Sequence, residues 1–93
     1  MIDMDAVERK VRISRDELMS GAARIAGTRI RVMDVVEKYV VLSYSPEEIA
    51  KAFDISLAEV HEALSYYYEN PEEIRDDLRK HEEFVEKFRK SLT

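Results

Sequence analysis

No cysteine occurs among the 93 residues, so neither a disulfide framework nor a thiolate metal site reinforces this fold. A chain this short buries only about 60–65% of the surface its unfolded form exposes, which makes oligomerisation an attractive source of further burial. Glutamine is absent and Asn70 is the single asparagine, while Glu, Lys and Arg are abundant. That bias points to a thermophilic source, where ion pairs gain value and labile amides are avoided. No apolar run approaches the ~18 residues of a membrane span. The acidic start, MIDMDAVERK, lacks the apolar core of a signal peptide, so a cytoplasmic protein is expected. Glycine is scarce as well. Gly21 and Gly27 are the only two, and both fall in GAARIAGTRIRV, a segment with Arg24, Arg29 and Arg31 and no acid.

What is present is a folded-protein composition: 45% hydrophobic and 38% charged residues, too much of both for a disordered chain. The net charge of -5 is unevenly spread. Seven Lys/Arg stand against three Asp/Glu from Glu8 to Arg31, and two against eight from Asp34 to Glu69. The opening segment is a basic island in an acidic protein.

Val7 to Ser14 alternates apolar and charged residues and predicts a short strand. Ala23 to Ile25, a turn at Ala26-Gly27 and a second strand over Thr28 to Val32 complete a small hairpin, with Gly27 supplying the positive φ. From Met33 the period turns helical, with Val35, Val36, Tyr39, Val40 and Val41 on one face up to about Ser43. Ser45 with Pro46 and Glu48 opens a helix to Phe53. Ser56 with Glu59 opens another from Leu57 to about Glu69, and Asn70-Pro71 with Glu73 starts a last helix reaching nearly to Ser91. The chain reads as mainly α, with a small N-terminal β-hairpin, a helix-turn-helix-like three-helix core and a long C-terminal helix. Residues 1–70 form the expected dimerising domain, and 71–93 a partner-binding or packing helix.

The two central helices fit the helix-turn-helix pattern. Ile49 and Ala50 sit near the crossing, Ile55 in the turn, and Val60 and Ala63 on the second helix's inner face. Asp54 stands where glycine is common. The outer positions of the would-be recognition helix, Ala58, Glu59, His61, Glu62 and Ser65, suit a polyanion poorly, and no Arg, Lys, Asn or Gln is among them. The basic hairpin is the better candidate, since a two-stranded ribbon can enter a groove of double-stranded DNA. The candidate DNA-contacting residues are therefore Arg24, Arg29 and Arg31, with His61. The alternative is that these arginines pair with acids of the same chain or of a second copy.

The last helix carries the clearest stripe. Ile74, Leu78, His81, Val85, Phe88 and Leu92 are spaced four, three, four, three and four, with Phe84 alongside. Ile74, Leu78, His81, Val85 and Phe88 are the candidate partner-binding residues. The stripe either folds back on its own domain or clasps a partner. His81 and His61 lie on different helices with no H-x-x-x-H spacing, so no metal is expected. No phosphate loop, nucleophile elbow or acid–base set appears, and neither a cofactor nor enzyme activity is expected. The run Tyr66-Tyr67-Tyr68 points in three directions on a helix, so part of it belongs to the core and part to an interface.

Two stretches carry a family resemblance. GAARIAGTRIRVMDVVEKYV and SPEEIAKAFDISLAEVHEALSYYYENPEEI resemble the small prokaryotic family catalogued as domain of unknown function 433. Gly21, Ile25, Gly27, Thr28, Arg29, Ile30 and Val32 match its first motif. Ser45, Glu47, Glu48, Ile49, Ala50, Val60, Ala63, Leu64, Tyr66 and Tyr67 match its second. Departures are Ala23 in place of a frequent proline, Asp54-Ile55 in place of a Pro-aromatic turn, and Ser56 before Leu57. The resemblance implies a winged or ribbon-bearing helix-turn-helix fold, commonly dimeric, and a role as the antitoxin half of a pair with a PIN-like ribonuclease.

Overall fold

The computed structural model describes residues 13–15 and 21–92. Strand β1 (Ile13–Ser14) pairs antiparallel with β2 (Arg24–Ile25), Ile13 opposite Ile25 and Ser14 opposite Arg24. The remainder of the strand predicted from Val7, with Arg9, Lys10 and Arg12, lies outside the described residues. The second predicted strand, Thr28 to Val32, does not form. Arg31 makes one isolated bridge to Arg24, and Val32 already begins helix α1 (Val32–Val36). Asp34 is the physical reason: its carboxylate accepts the Arg31 backbone N–H at 2.9 Å and satisfies a donor that a starting helix leaves open.

Past Val36 the helix widens into a π-helical turn, Glu37–Val41. Leu42 N–H reaches back to Glu37 O (3.2 Å) and Tyr44 N–H to Lys38 O (2.9 Å), with Ser43 left-handed at φ 60°. The wider turn re-aims the residues that follow, so the apolar face predicted through Val41 breaks. Val35 and Val36 are buried and Tyr39 is half-buried, whereas Val40 and Val41 are 54% and 66% exposed.

Helices α2 (Pro46–Phe53) and α3 (Leu57–Glu69) open on the predicted capping boxes. Ser45 Oγ accepts from Glu48 N–H (3.1 Å) while Glu48 accepts from Ser45 N–H (2.8 Å), and Ser56 and Glu59 repeat the exchange. Those bonds hold the Glu48 carboxyl below its ordinary pKa. Helix α2 ends on Asp54 at φ 55°, with Ile55 N–H on Ala50 O and Asp54 N–H on Lys51 O, the paired bonds of a Schellman turn. Aspartate thus occupies a left-handed position where glycine costs less.

Helix α4 (Pro71–Ser91) starts without the predicted Asn70–Glu73 box. The Asn70 amide donates to Tyr66 O (3.0 Å) instead. The Glu73 carboxylate is taken by the Tyr66 hydroxyl at 3.0 and 3.1 Å and by Arg15 at 3.3 Å. Burial, then the Glu73 hydrogen bond, raises the Tyr66 pKa.

One core joins all these elements. Ile25, Val32, Val35, Ile49, Val60 and Ile74 are each at most 1% exposed, and burying such side chains stabilises by roughly 1.5–3 kcal/mol apiece. Ile74 shows that the first turns of α4 belong to this core. From Glu82 onward every described residue is exposed, so the change from covered to uncovered helix falls near His81 rather than at Asn70. The projecting end stretches the molecule to 63 × 28 × 22 Å.

Candidate functional site

The loop after β2 is closed by its own groups. Thr28 N–H bonds Ile25 O at 3.0 Å, and Gly27, the third residue of that turn, has φ 78°. A positive φ there and not at Ala26 makes it a type II turn, which requires glycine or asparagine at this place. The Thr28 hydroxyl donates to Ile25 O (2.8 Å) and accepts from Ile30 N–H (3.0 Å), so one side chain satisfies two backbone groups. Ile25 N–H closes on Ile30 O, and Val32 N–H on Ala23 O, both at 2.9 Å.

Most of the arginines that looked like a nucleic-acid surface are engaged in this architecture. Arg24 Nη1 donates to Thr28 O at 3.1 Å. Arg31 grips Asp34 through Nε (3.0 Å) and Nη2 (2.9 Å), a bidentate pair with both side chains about one-quarter exposed. Arg15 donates to Gly21 O and pairs with Glu73. Arg29 is exposed and makes none of these bonds. The ribbon itself is two residue pairs and a bridge, and a strand of two residues spans only ~7 Å. His61 opens elsewhere, on a groove of about 360 Å³ lined by Tyr39, Pro46, Leu64, Ser65, Tyr68 and Glu69. The Tyr68 pKa is raised, chiefly through a hydrogen bond with Tyr39. The hairpin arginines and His61 therefore do not line one groove.

The tail stripe divides in two. Ile74 is buried in the domain, and Leu78 packs against the core, half-buried. Phe84 (66% exposed), Val85 (37%), Phe88 (59%) and Leu92 (73%) stand uncovered. His81 sits at the division, half-buried, in a groove of about 410 Å³ shared with Ala22, Arg31, Met33, Asp77, Lys80 and Phe84. Burial, with Glu73 nearby, raises the Asp77 pKa. Outside the stripe α4 is laced by Asp76–Lys80 (3.1 Å), Arg79–Glu83 (3.2 Å), Glu86–Arg89 (3.5 Å) and a contact of Arg79 with Asp76. Lys80 and Arg79 hold the Asp76 carboxyl below its ordinary range.

Residues 13–67 match the profile of a family described as protein of unknown function DUF433, more than half of the chain. The chain belongs to the DUF433 family. The match runs from β1 into α3, so the DUF433 signature read in the sequence is, structurally, the type II turn, the Thr28 clasp and the capped helix pair. It stops before α4. No curated protein and no solved structure gives a match. Among the described residues no group of three His, Asp or Glu is placed to hold a metal ion, and no helix is long and apolar enough to cross a membrane.

Sequence reasoning missed Asp34 as the partner of Arg31, although the R-x-x-D spacing at a helix start carried the signal. It also missed the Arg15–Glu73–Tyr66 cluster, which joins residues far apart in the chain and has no local signature.

Proposed function

We propose that this DUF433 protein is a non-enzymatic, antitoxin-like component of a toxin–antitoxin system. It acts in the cytoplasm of a thermophile as a homodimer that binds a PIN-like ribonuclease and operator DNA. The observation that carries the reading is the uncovered end of α4, where Phe84, Val85, Phe88 and Leu92 offer an apolar helix face to a groove in a partner. Helix-in-groove binding of this kind places few large anchors at helical spacing, as here. Ile74 and Leu78, committed to the domain, position that face rather than forming it.

The test is inhibition of a purified PIN-like ribonuclease from the same organism. Nuclease activity is expected to fall as the chain is added, and a Phe84→Asp/Phe88→Asp variant with unchanged circular dichroism is expected to lose the effect. A nuclease indifferent to the native chain overturns the reading. For DNA, the arginine of the candidate set that makes none of the bonds above is Arg29, among the described residues. Binding to the promoter duplex is expected to weaken with rising salt and with Arg29→Ala.

A second reading, an interaction module that leaves DNA alone, is favoured by the Arg31–Asp34 grip, the Arg24 bond to Thr28 O and the acids Glu59 and Glu62 on α3. An unshifted promoter duplex at low salt selects it.

A further inference from the structure

We propose that, in the free protein, the uncovered end of α4 is covered by the same segment of a second copy, running antiparallel. This rests on the homodimer part of the reading above, places the contact at the end of α4 rather than in residues 1–70, and makes the second copy and the nuclease alternative occupants of one face.

The seam layers are His81, Val85, Phe88 and Leu92, spaced four, three and four. Antiparallel packing of this segment on itself sets His81 against Leu92 of the second copy and Val85 against Phe88 of the second copy. Symmetry repeats both, giving four layers over ~16 Å of helix. All of the described residues from Glu82 on are exposed, which leaves the Val85 and Phe88 layers open to a second helix, while His81 is half-buried at the edge of the domain. The groove of about 410 Å³ lies where the layers end, beside His81 and Phe84, and its apolar lining of Ala22, Met33 and Phe84 receives the incoming Leu92.

Charge selects both the occupant and its direction. Glu82 and Arg89 each follow a seam residue by one position, so they lie on the same flank of the stripe. Antiparallel pairing brings like flanks together and sets Glu82 against Arg89 of the second copy, twice by the two-fold axis. Parallel pairing brings opposite flanks together and sets Asp77 against Glu82 of the second copy, two acids, while Arg89 meets Phe84. The segment is thus complementary to its own reverse. Four layers is a small contact against the ~800 Å² per partner of a typical stable interface, so the dimer dissociates in the micromolar range rather than below it.

Sedimentation of the full chain between about 5 and 500 µM is the first test, with a monomer–dimer equilibrium expected across that range. A monomer throughout overturns the proposal. Glu82→Arg is expected to weaken the dimer about tenfold, by replacing two cross-pairs with repulsion, and Arg89→Glu to do the same. The double exchange Glu82→Arg/Arg89→Glu restores it; a double variant as weak as the singles overturns the antiparallel register. Because the chain has no cysteine, His81→Cys/Leu92→Cys reports direction independently. The two positions lie ~16 Å apart on one helix, so a disulfide between them is intermolecular and antiparallel. The double variant is expected to cross-link as a dimer on oxidation and the single variants to remain uncross-linked. Single variants that cross-link as fully as the double overturn the proposal. None of these outcomes depends on whether the nuclease binds.

Discussion

The loop between β2 and α1 and the free end of α4 treat their side chains in opposite ways. In the loop, conspicuous polar groups turn inward: Thr28 serves two backbone groups, Arg24 reaches Thr28 O, and Arg31 is held by Asp34. At the free end of α4, large apolar groups stay exposed, Phe84 at the edge of a groove and Phe88 and Leu92 beyond it. A basic, glycine-marked segment suggests a ligand and builds a turn. A regular amphipathic helix suggests packing, and half of it leaves the domain uncovered. Charge and hydropathy say what a segment needs, and only the tertiary fold says what supplies it.

The widest test of that contrast lies within α4 itself. Ile74→Ala opens a cavity in the core and is expected to cost about 2–5 kcal/mol in denaturant unfolding. Phe88→Ala removes a larger side chain from the same stripe. Measured at concentrations where the protein is monomeric, it is expected to cost less than about 0.5 kcal/mol. Comparable losses would mean the projecting end is covered after all. In the loop, Thr28→Val keeps shape and removes the hydroxyl that serves Ile25 O and Ile30 N–H; a loss of about 1–2 kcal/mol is expected. At the end of α2, Asp54→Gly relieves the left-handed aspartate and is expected to raise the unfolding midpoint, by about 0.5–1 kcal/mol of stability.

The smallest effect concerns pH. Burial and Glu73 raise the Asp77 pKa above its ordinary 3.8. A carboxyl raised on folding favours the folded state while protonated, and that contribution is lost as pH rises through the folded pKa. Asp77→Asn is therefore expected to stabilise slightly at neutral pH, by less than about 1 kcal/mol, and to show no advantage below pH ~4. An advantage that persists in acid would trace to something other than ionisation.

Much of the fold was legible in the sequence because its signals are local. Ser45–Glu48 and Ser56–Glu59 are three residues apart, and the bonds they make involve nothing beyond their own helix starts. Asn70–Glu73 has the same spacing and fails, because Tyr66 and Arg15 claim the Glu73 carboxylate from outside the motif. The π-helical turn was hidden for a related reason: its bonds skip five and six residues, and no residue type marks it. For the candidate site, the stripe of α4 was legible as a pattern. Where its cover ends was not, since that depends on how far α1 and α3 extend beside it. The arginines were legible as charge and not as contacts, because a guanidinium takes whichever carboxylate or carbonyl the turn brings within reach.

The free end of α4 has one more consequence. The last eleven described residues are all exposed, and an isolated helix of such length is marginal in water. Anything that binds it as a helix meets it in that form only part of the time, and its apparent affinity falls by that fraction. Residues on the outward side, such as Arg79 and Glu83, thereby set binding strength without touching the bound surface. Selection acting on partner affinity has a dial there, remote from the contact itself.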